Sequence, residues 1–452
     1  MAMFLLSLKK AVAPLCKIVF AWSFSLILLL SIVFLSYSCS NKQAIDESGV
    51  TVIDFTSGLN RAKVIDLSDI ATDIEYIPLE TTKESLIGPF PKISTGNNRI
   101  YVMTGRKNIQ IFDKKGTFLF TFNRKGRGPE EYIVSSGFQF EEKTGNIIVN
   151  TITQNFGPTV KTYDSLGRFL FSEQIARVDS VFIPTPIKFN DNLYLGSVPQ
   201  VSKIKLDFWI VAFQKDGSVL KKFPSPPFEH QDYLDKQTQT LRISIDGEAT
   251  SVNNLSPRLY RVGNYIRVFS TFIDTLYTID TQLEYKPEFV INYGNIKADG
   301  TSSVPIGQKT DEGDFIILRE GKYQEWGNNI LFNYYLNKYA FEPYETSMTT
   351  SGSKMITIKH TDAYALYNKE KGSFTFMKQP IKGKLGFRDN LKGGPPFIPQ
   401  FISQDNKYAV SLLSAEDILE HAQTGQMKGD LKKIASKIGD MDNHVVVVVK
   451  LK

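Results

Sequence analysis

The sequence is short of the residues on which much protein chemistry depends. It holds only 2 cysteines and 4 histidines among 452 residues. Cys16 and Cys39 both lie near the N-terminus, so the chain beyond Cys39 has no cysteine and no disulfide to stabilise it. A zinc site of Cys and His would need nearly all of His230, His360, His421 and His444, which are far apart. No GxSxG elbow, Walker A loop or HExxH helix occurs anywhere. No concentrated basic run follows residue 39, and the lysines from Lys428 to Lys437 alternate with apolar residues at helical spacing. That excludes a nucleic-acid surface. No metal, cofactor or catalytic residue is assigned on these grounds.

What the chain does have is hydrocarbon and aromatic rings: 42% hydrophobic residues, 32 Phe and 20 Tyr. This is a globular, strand-favouring composition. Residues 1–17 carry Lys9, Lys10 and Lys17 without an acid, and residues 18–35 are apolar apart from serines. Leu35 to Ser38 then lead into Cys39. A basic region, an apolar region and small residues form the layout of a secretory signal. The ending is similar to a bacterial lipobox, although Tyr37 stands where a smaller residue is usual. The expectation is a signal peptide over 1–38, acylation of Cys39, a polar linker over 39–50 and a folded domain over 51–452. The alternative is an uncleaved membrane anchor. Removing the three lysines lowers the formal charge from +6 to +3.

The folded part repeats one unit, two aromatic or β-branched runs joined by a tight turn. The clearest copy is NIQIFDKKGTFLFTF at 108–122, where Asp113 opens the turn and Gly116 accepts positive φ. Further copies occupy 161–171, 209–223, 275–289 and 364–377. Their turn-opening residues are Phe112, Tyr163, Phe213, Ile279 and Tyr367, separated by 51, 50, 66 and 88 residues. Second strands precede them at 98–104, 145–151, 191–197, 263–270 and 329–335. A period near fifty with several strands per unit indicates a β-propeller.

Five blades are visible, and a sixth can be assembled from the two ends by pairing HVVVVVKLK (444–452) with VTVIDF (50–55). The predicted fold is an all-β, six-bladed β-propeller closed by N- and C-terminal strands. A short helical insertion falls in its last blade, with a capping box at Ser414–Asp417 and a second helix over 430–439 that stops at Gly439. A β-sandwich with a second domain fits less well, because the unit recurs without a break in composition.

FDKKGTFLFTF followed by GRGPEEY, the DTLY unit at 274–277, GGPPFIPQF at 393–401 and a terminal KLK together resemble the six-bladed β-propeller lipoproteins of the Bacteroidota. These are related in shape to NHL-type propellers. The resemblance covers residues 50–452 and implies export, lipid anchoring at the outer membrane and a six-bladed ring. It also associates the chain with envelope uptake machinery. Some NHL-shaped propellers are metal-dependent lyases or lactonases, but the scarcity of histidine argues against that chemistry here.

Two loops are the candidate ligand-binding sites. In Asn123–Tyr132, Arg124 and Arg127 can grip a carboxylate or sulfate and Tyr132 can stack on a sugar; Glu130 lies between them. A purely structural crossover, shaped by Gly126, Gly128 and Pro129, is the competing account. In the second loop, Arg319, Tyr323 and Trp326, with Glu320 and Glu325, suit a glycan or peptide, or else fill the space between sheets. Lys392–Phe397 is a further loop that can reach the channel. Acidic clusters at Glu141/Glu142 and at Asp311, Glu312 and Asp314 offer carboxylates for a glycosidase pair or are simply solvated turns. Asp311–Asp314 could hold calcium but lacks the ligand spacing of an EF-hand loop.

The expected function is a membrane-anchored, non-catalytic binding or scaffolding lipoprotein. Its partners are membrane lipid through Cys39, a glycan or peptide, and outer-membrane uptake proteins. The alternatives are a polysaccharide hydrolase or lyase and a periplasmic sensor. A catalytic site would need two acids, or an acid and a histidine, converging in the channel. Cys39 is followed by Ser-Asn-Lys-Gln and not by an acidic run, which leans towards the periplasmic face of the membrane.

Overall fold

A computed structural model describes residues 44–104, 108–152, 158–175, 183, 186–190, 192–198, 200–201, 207–225, 241–245, 248–253, 256–270, 273–296, 316–349 and 355–452. Cys39, His230 and the Asp311–Asp314 cluster lie outside them. Six sheets form the blades. Blade 1 runs outward through Lys92–Gly96, Arg99–Thr104, Asn108–Asp113 and Phe118–Phe122. Blade 2 uses Ser135–Phe140, Ile147–Ile152, Pro158–Tyr163 and Phe169–Gln174. Blade 3 uses Ile187–Lys188, Leu193–Ser197, Phe208–Gln214 and Val219–Pro224.

Blade 4 is Arg258–Val262, Tyr265–Phe269, Thr275–Ile279 and Tyr285–Asn292. Blade 5 begins with two pieces, Ile317–Leu318 and Gln324–Trp326, both paired with Asn329–Tyr335, and continues with Asp362–Asn368 and Ser373–Phe376. Blade 6 is Phe401–Ile402, Tyr408–Leu413, Val445–Leu451 and Ala71–Pro78. All five repeat units of the sequence are third-to-fourth strand hairpins of blades 1 to 5.

Neighbouring blades bury both faces of the middle strands. These strands therefore read as continuous apolar runs such as Phe208–Gln214, while outer strands such as Val219–Pro224 are largely exposed. The turns recur for a local reason. Asp113 Oδ1 accepts the Lys115 and Thr117 N–H groups at 2.8 and 2.9 Å, and Asp164 and Asp280 repeat this at two and four residues onward. Gly116 and Gly167 supply φ of +88° and +76°. In blade 4 Leu283 takes the corresponding left-handed place at +62°.

The ring closes through the chain ends, but not with the strand the sequence suggests. Val445–Leu451 pairs with Ala71–Pro78, whose eight residues match the full length of the last strand. The 50–55 run forms only the four-residue strand Thr51–Asp54, which adds in parallel to Tyr285–Asn292 at the rim of blade 4. Asp54 then caps the helix Phe55–Asn60 by accepting the Ser57 N–H at 3.0 Å. Phe55 is fully buried against Tyr293, Tyr334, Phe374 and Phe376 of blades 4 and 5. Lys63 and Asp66 bridge to Met377 and Arg388, so one N-terminal strap runs over blades 4, 5 and 6.

The insertion in blade 6 lies between its second and third strands. Ser414 forms the capping box with Asp417 at the head of Ala415–Ala422. The second helix, Gly429–Ala435, ends before Gly439, whose N–H is held by Asp442 Oδ2 at 2.8 Å. Among the described residues no helix is long and apolar enough to cross a membrane.

Candidate functional site

The innermost strand of every blade lines the central channel, and the two mouths of that channel differ by topology. At one mouth the inner strands end in short turns; this is the narrow mouth. At the other they begin, fed by the long connections between blades, and the loops between second and third strands, with their insertions, lie there too. This is the wide mouth.

Hydrogen bonds between blades surround the narrow mouth. The Asn97 N–H of blade 1 donates to Glu142 O of blade 2 at 2.7 Å. Glu142 Oε1 accepts the Gln404 N–H of blade 6 at 2.8 Å. Arg261 of blade 4 donates to Lys188 O of blade 3 at 3.2 Å, and Gln324 of blade 5 to Gln400 O of blade 6 at 3.3 Å. Glu142 thus reaches the axis. Burial pushes its carboxyl up to about 7, with the nearby Asp405 charge adding to the rise and the Gln404 N–H and Arg261 opposing it. Asp405 is held ionised in its own turn by Ser403 Oγ, the Lys407 N–H and the Lys407 ammonium. It is therefore committed to the turn and does not form a free pair with Glu142.

The wide mouth is cationic and apolar. Burial lowers the affinity of Lys322 for its proton, and Arg319 beside it and Lys92 of blade 1 act in the same direction; Asp362 opposes them. Lys92 follows the segment Gly88-Pro-Phe-Pro91, in which Phe90 is 93% exposed and held at φ +55°. A large aromatic in the left-handed region is a genuine outlier, and such strain collects at functional sites. Leu86, Ile133, Val134 and Met441 are exposed on loops at this same end, and Met355 is exposed at the start of the strand Met355–His360 inserted between the second and third strands of blade 5.

The two predicted loops lie in seams between blades. Arg124 Nε donates to Gly167 O at 3.0 Å and clamps the outer turn of blade 2. Arg127 and Glu130 are exposed, and Glu130 O accepts the Tyr163 hydroxyl at 2.6 Å. Tyr132 is 2% exposed, between Phe122 and Phe138, so its ring belongs to the core and offers no face to a sugar. Glu131 receives the Gly128 N–H and closes the crossover.

In the second loop Arg319 lies half-buried over the Tyr335 ring at 4.3 Å and donates to Asn333 Oδ1 at 3.1 Å. Among the predicted residues of this loop whose side chains are described, it alone reaches the wide mouth. Tyr323 and Trp326 are buried. The Tyr323 hydroxyl donates to Glu325 Oε2, and Glu325 is fully enclosed. Arg267 Nε and Nη2 donate to its two oxygens at 3.0 and 2.9 Å, the Tyr265 hydroxyl at 2.9 Å and Lys369 Nζ at 3.1 Å. Burial alone would raise the Glu325 carboxyl, but Arg267 and then Lys369 outweigh it and hold the group well below its usual range.

The Lys392–Phe397 loop turns on Asp389, whose carboxylate accepts the Lys392 and Gly394 N–H groups and the Tyr76 hydroxyl. Its Gly393 O meets His421 Nε2 at 3.0 Å. Glu141 pairs with Lys188 at 3.6 Å. Among the described residues no three His, Cys, Asp or Glu side chains come together as a metal site.

Phe90, Lys92, Lys322, Arg261 and Gln404 were not singled out by sequence, whereas Glu142 was, as half of the Glu141/Glu142 cluster. Pro-Phe-Pro was the one readable signal, because flanking prolines fix the chain on both sides of an aromatic.

These features define a six-bladed β-propeller with one plain mouth and one elaborated mouth. Residues 50–450 match the family described as Domain of unknown function (DUF4934), and the chain belongs to it. Among solved structures it is similar to a Bacteroides fragilis NCTC 9343 protein described there as exported. The two are 19% identical, over 89% of this chain and 100% of that one, with a TM-score of 0.56. A DUF4221-family member from Bacteroides vulgatus ATCC 8482 is 12% identical, over 84% and 97% of the two chains, with a TM-score of 0.44. No curated protein matches.

Proposed function

We propose that this protein is an exported, lipid-anchored binding propeller that holds a partner protein of the bacterial outer envelope against its wide mouth. The observation that carries the reading is Phe90, an aromatic ring fully presented to solvent on a strained, proline-flanked turn. Rigid exposed aromatics are the usual anchors of protein interfaces, and exposed apolar side chains on one face mark interaction surfaces. Lys92 and Lys322 beside it favour an acidic rim on the partner. The signal-like residues 1–38 and Cys39 supply export and the anchor, and the description of the Bacteroides fragilis protein as exported agrees with this. The hydrolase alternative is less well supported, because the acid beside Glu142, Asp405, is held by its own turn and, among the described residues, no free second acid stands with it.

The test is affinity capture of the membrane-anchored protein, wild type against Phe90→Ala, with mass spectrometry of what is retained. The expected result is an outer-membrane transporter and its binding lipoproteins with the wild type, reduced about tenfold or more by the substitution, as for an interface hot spot. Identical capture by both, or a protein recovered alone, would overturn the reading.

A further inference from the structure

At the opposite, narrow mouth the inner strands of blades 4, 5 and 6 enclose a recess of about 150 Å³. Four of the residues that line it carry side-chain amides, Gln324, Gln400, Gln404 and Asn406, and one N–H of Gln324 already donates to Gln400 O. Each amide carries two N–H donors and a carbonyl acceptor. Tyr260 forms a flat wall, stacked at 5.4 Å on Phe269 and held at 5.2 Å by the buried Tyr323.

The charges about the recess nearly cancel: Arg261, Arg267 and Lys369 stand against Glu325, Glu142 and Asp405. Glu325 lines it but is neutralised by Arg267 and Lys369. Arg261 also lines it, and already donates to Lys188 O and Gly263 O. An anionic ligand would have little to pair with. A neutral ring bearing vicinal hydroxyls suits the wall, since each hydroxyl both donates and accepts. Its C–H face can lie on Tyr260, and a cavity of this volume accommodates a six-membered ring.

We propose that this recess binds one neutral pyranose unit, through the amides of Gln324, Gln400, Gln404 and Asn406 and the face of Tyr260. The site is separate from the partner contact at the wide mouth and stands without it.

The test is isothermal titration calorimetry of the full-length, detergent-solubilised protein with D-glucose, D-galactose, D-mannose, D-xylose and N-acetyl-D-glucosamine. At least one of the five should bind saturably. The double variant Gln400→Ala/Gln404→Ala should weaken that binding by about tenfold or more at an unchanged unfolding temperature. Asn406→Gly, which keeps the left-handed turn at φ +58°, should weaken it in a variant whose fold is not in question. Phe90→Ala should bind the sugar as the wild type does, so failure here and failure at the wide mouth are read separately. No saturable binding by any of the five, binding indifferent to both amide variants, or Arg261-dependent binding of succinate in their place would overturn the proposal.

Discussion

Between blades 1 and 2 the charge is outside and the hydrocarbon inside; between blades 4 and 5 a guanidinium and a carboxylate are inside. In the first seam Tyr101, Phe122, Tyr132 and Tyr163 form the core, and Arg124 works at the rim against a backbone carbonyl. In the second, Arg267 and Glu325 are nearly inaccessible and Lys369 reaches in to join them. Both seams solve the same packing problem, fixing one twisted sheet against the next. An aromatic core gains stability from area alone and tolerates small shifts. A bidentate ion pair is satisfied at one registration and leaves buried charge at any other. The contrast shows that Arg, Tyr and Glu in a blade-edge loop can be structural in two quite different ways.

The largest effect should come from removing one partner of the enclosed pair. Arg267→Ala strands Glu325 without its main counter-charge and should destabilise the protein by about 3–5 kcal/mol in chemical denaturation. The apolar double variant Arg267→Met/Glu325→Leu should recover most of that loss. If the single and double variants fall equally, the charges are not what makes the seam sensitive.

A smaller effect separates the seams by pH. The Glu325 carboxyl is depressed in the folded protein relative to the usual 4.5, so the unfolded chain takes up its proton first as pH falls. The stability from this group is therefore complete above about 4.5 and is lost progressively below it. Unfolding temperatures measured from pH 6 to pH 3 should fall more steeply in the wild type than in the apolar double variant. Parallel curves would contradict the assignment.

The smallest effect belongs to the rim of the first seam. Arg124→Ala removes a part-buried hydrogen bond at the rim and should cost about 0.5–1 kcal/mol. A loss as large as that of Arg267→Ala would show that the crossover, and not its aromatic core, holds blades 1 and 2 together.

The repeat was legible because Asp-x-x-Gly turns and continuous apolar middle strands are local consequences of blade geometry. The hairpins whose turns open at Phe112, Tyr163, Phe213, Ile279 and Tyr367 all stand where the spacing puts them. The closing strand was harder, since both the 50–55 and 71–78 runs are strand-like. Only ladder length, four residues against eight, separates them. The site was less legible still. Tyr132, Tyr323 and Trp326 have the composition of a binding surface, but composition does not reveal which face of a blade a ring will occupy. Glu142, Arg261 and Gln404 come from blades 2, 4 and 6, and nothing local in the chain announces that the ring brings them together.

The pairing of Ala71–Pro78 with Val445–Leu451 also has a consequence in time. Leu451 forms its ladder with Ala71, far earlier in the chain. Blades 1 to 4 are each built from contiguous segments and can form their own four-stranded ladders during synthesis, whereas blade 6 has no completed sheet until Val445–Leu451 meets Ala71–Pro78. Until then the strand that will close the ring is an unpaired edge. Contacts so distant in sequence are slow to form and leave partly folded chains exposed to wrong pairings. The step that seals the ring is thus the natural rate-limiting event of folding, and the stage at which a chaperone would have the most to do.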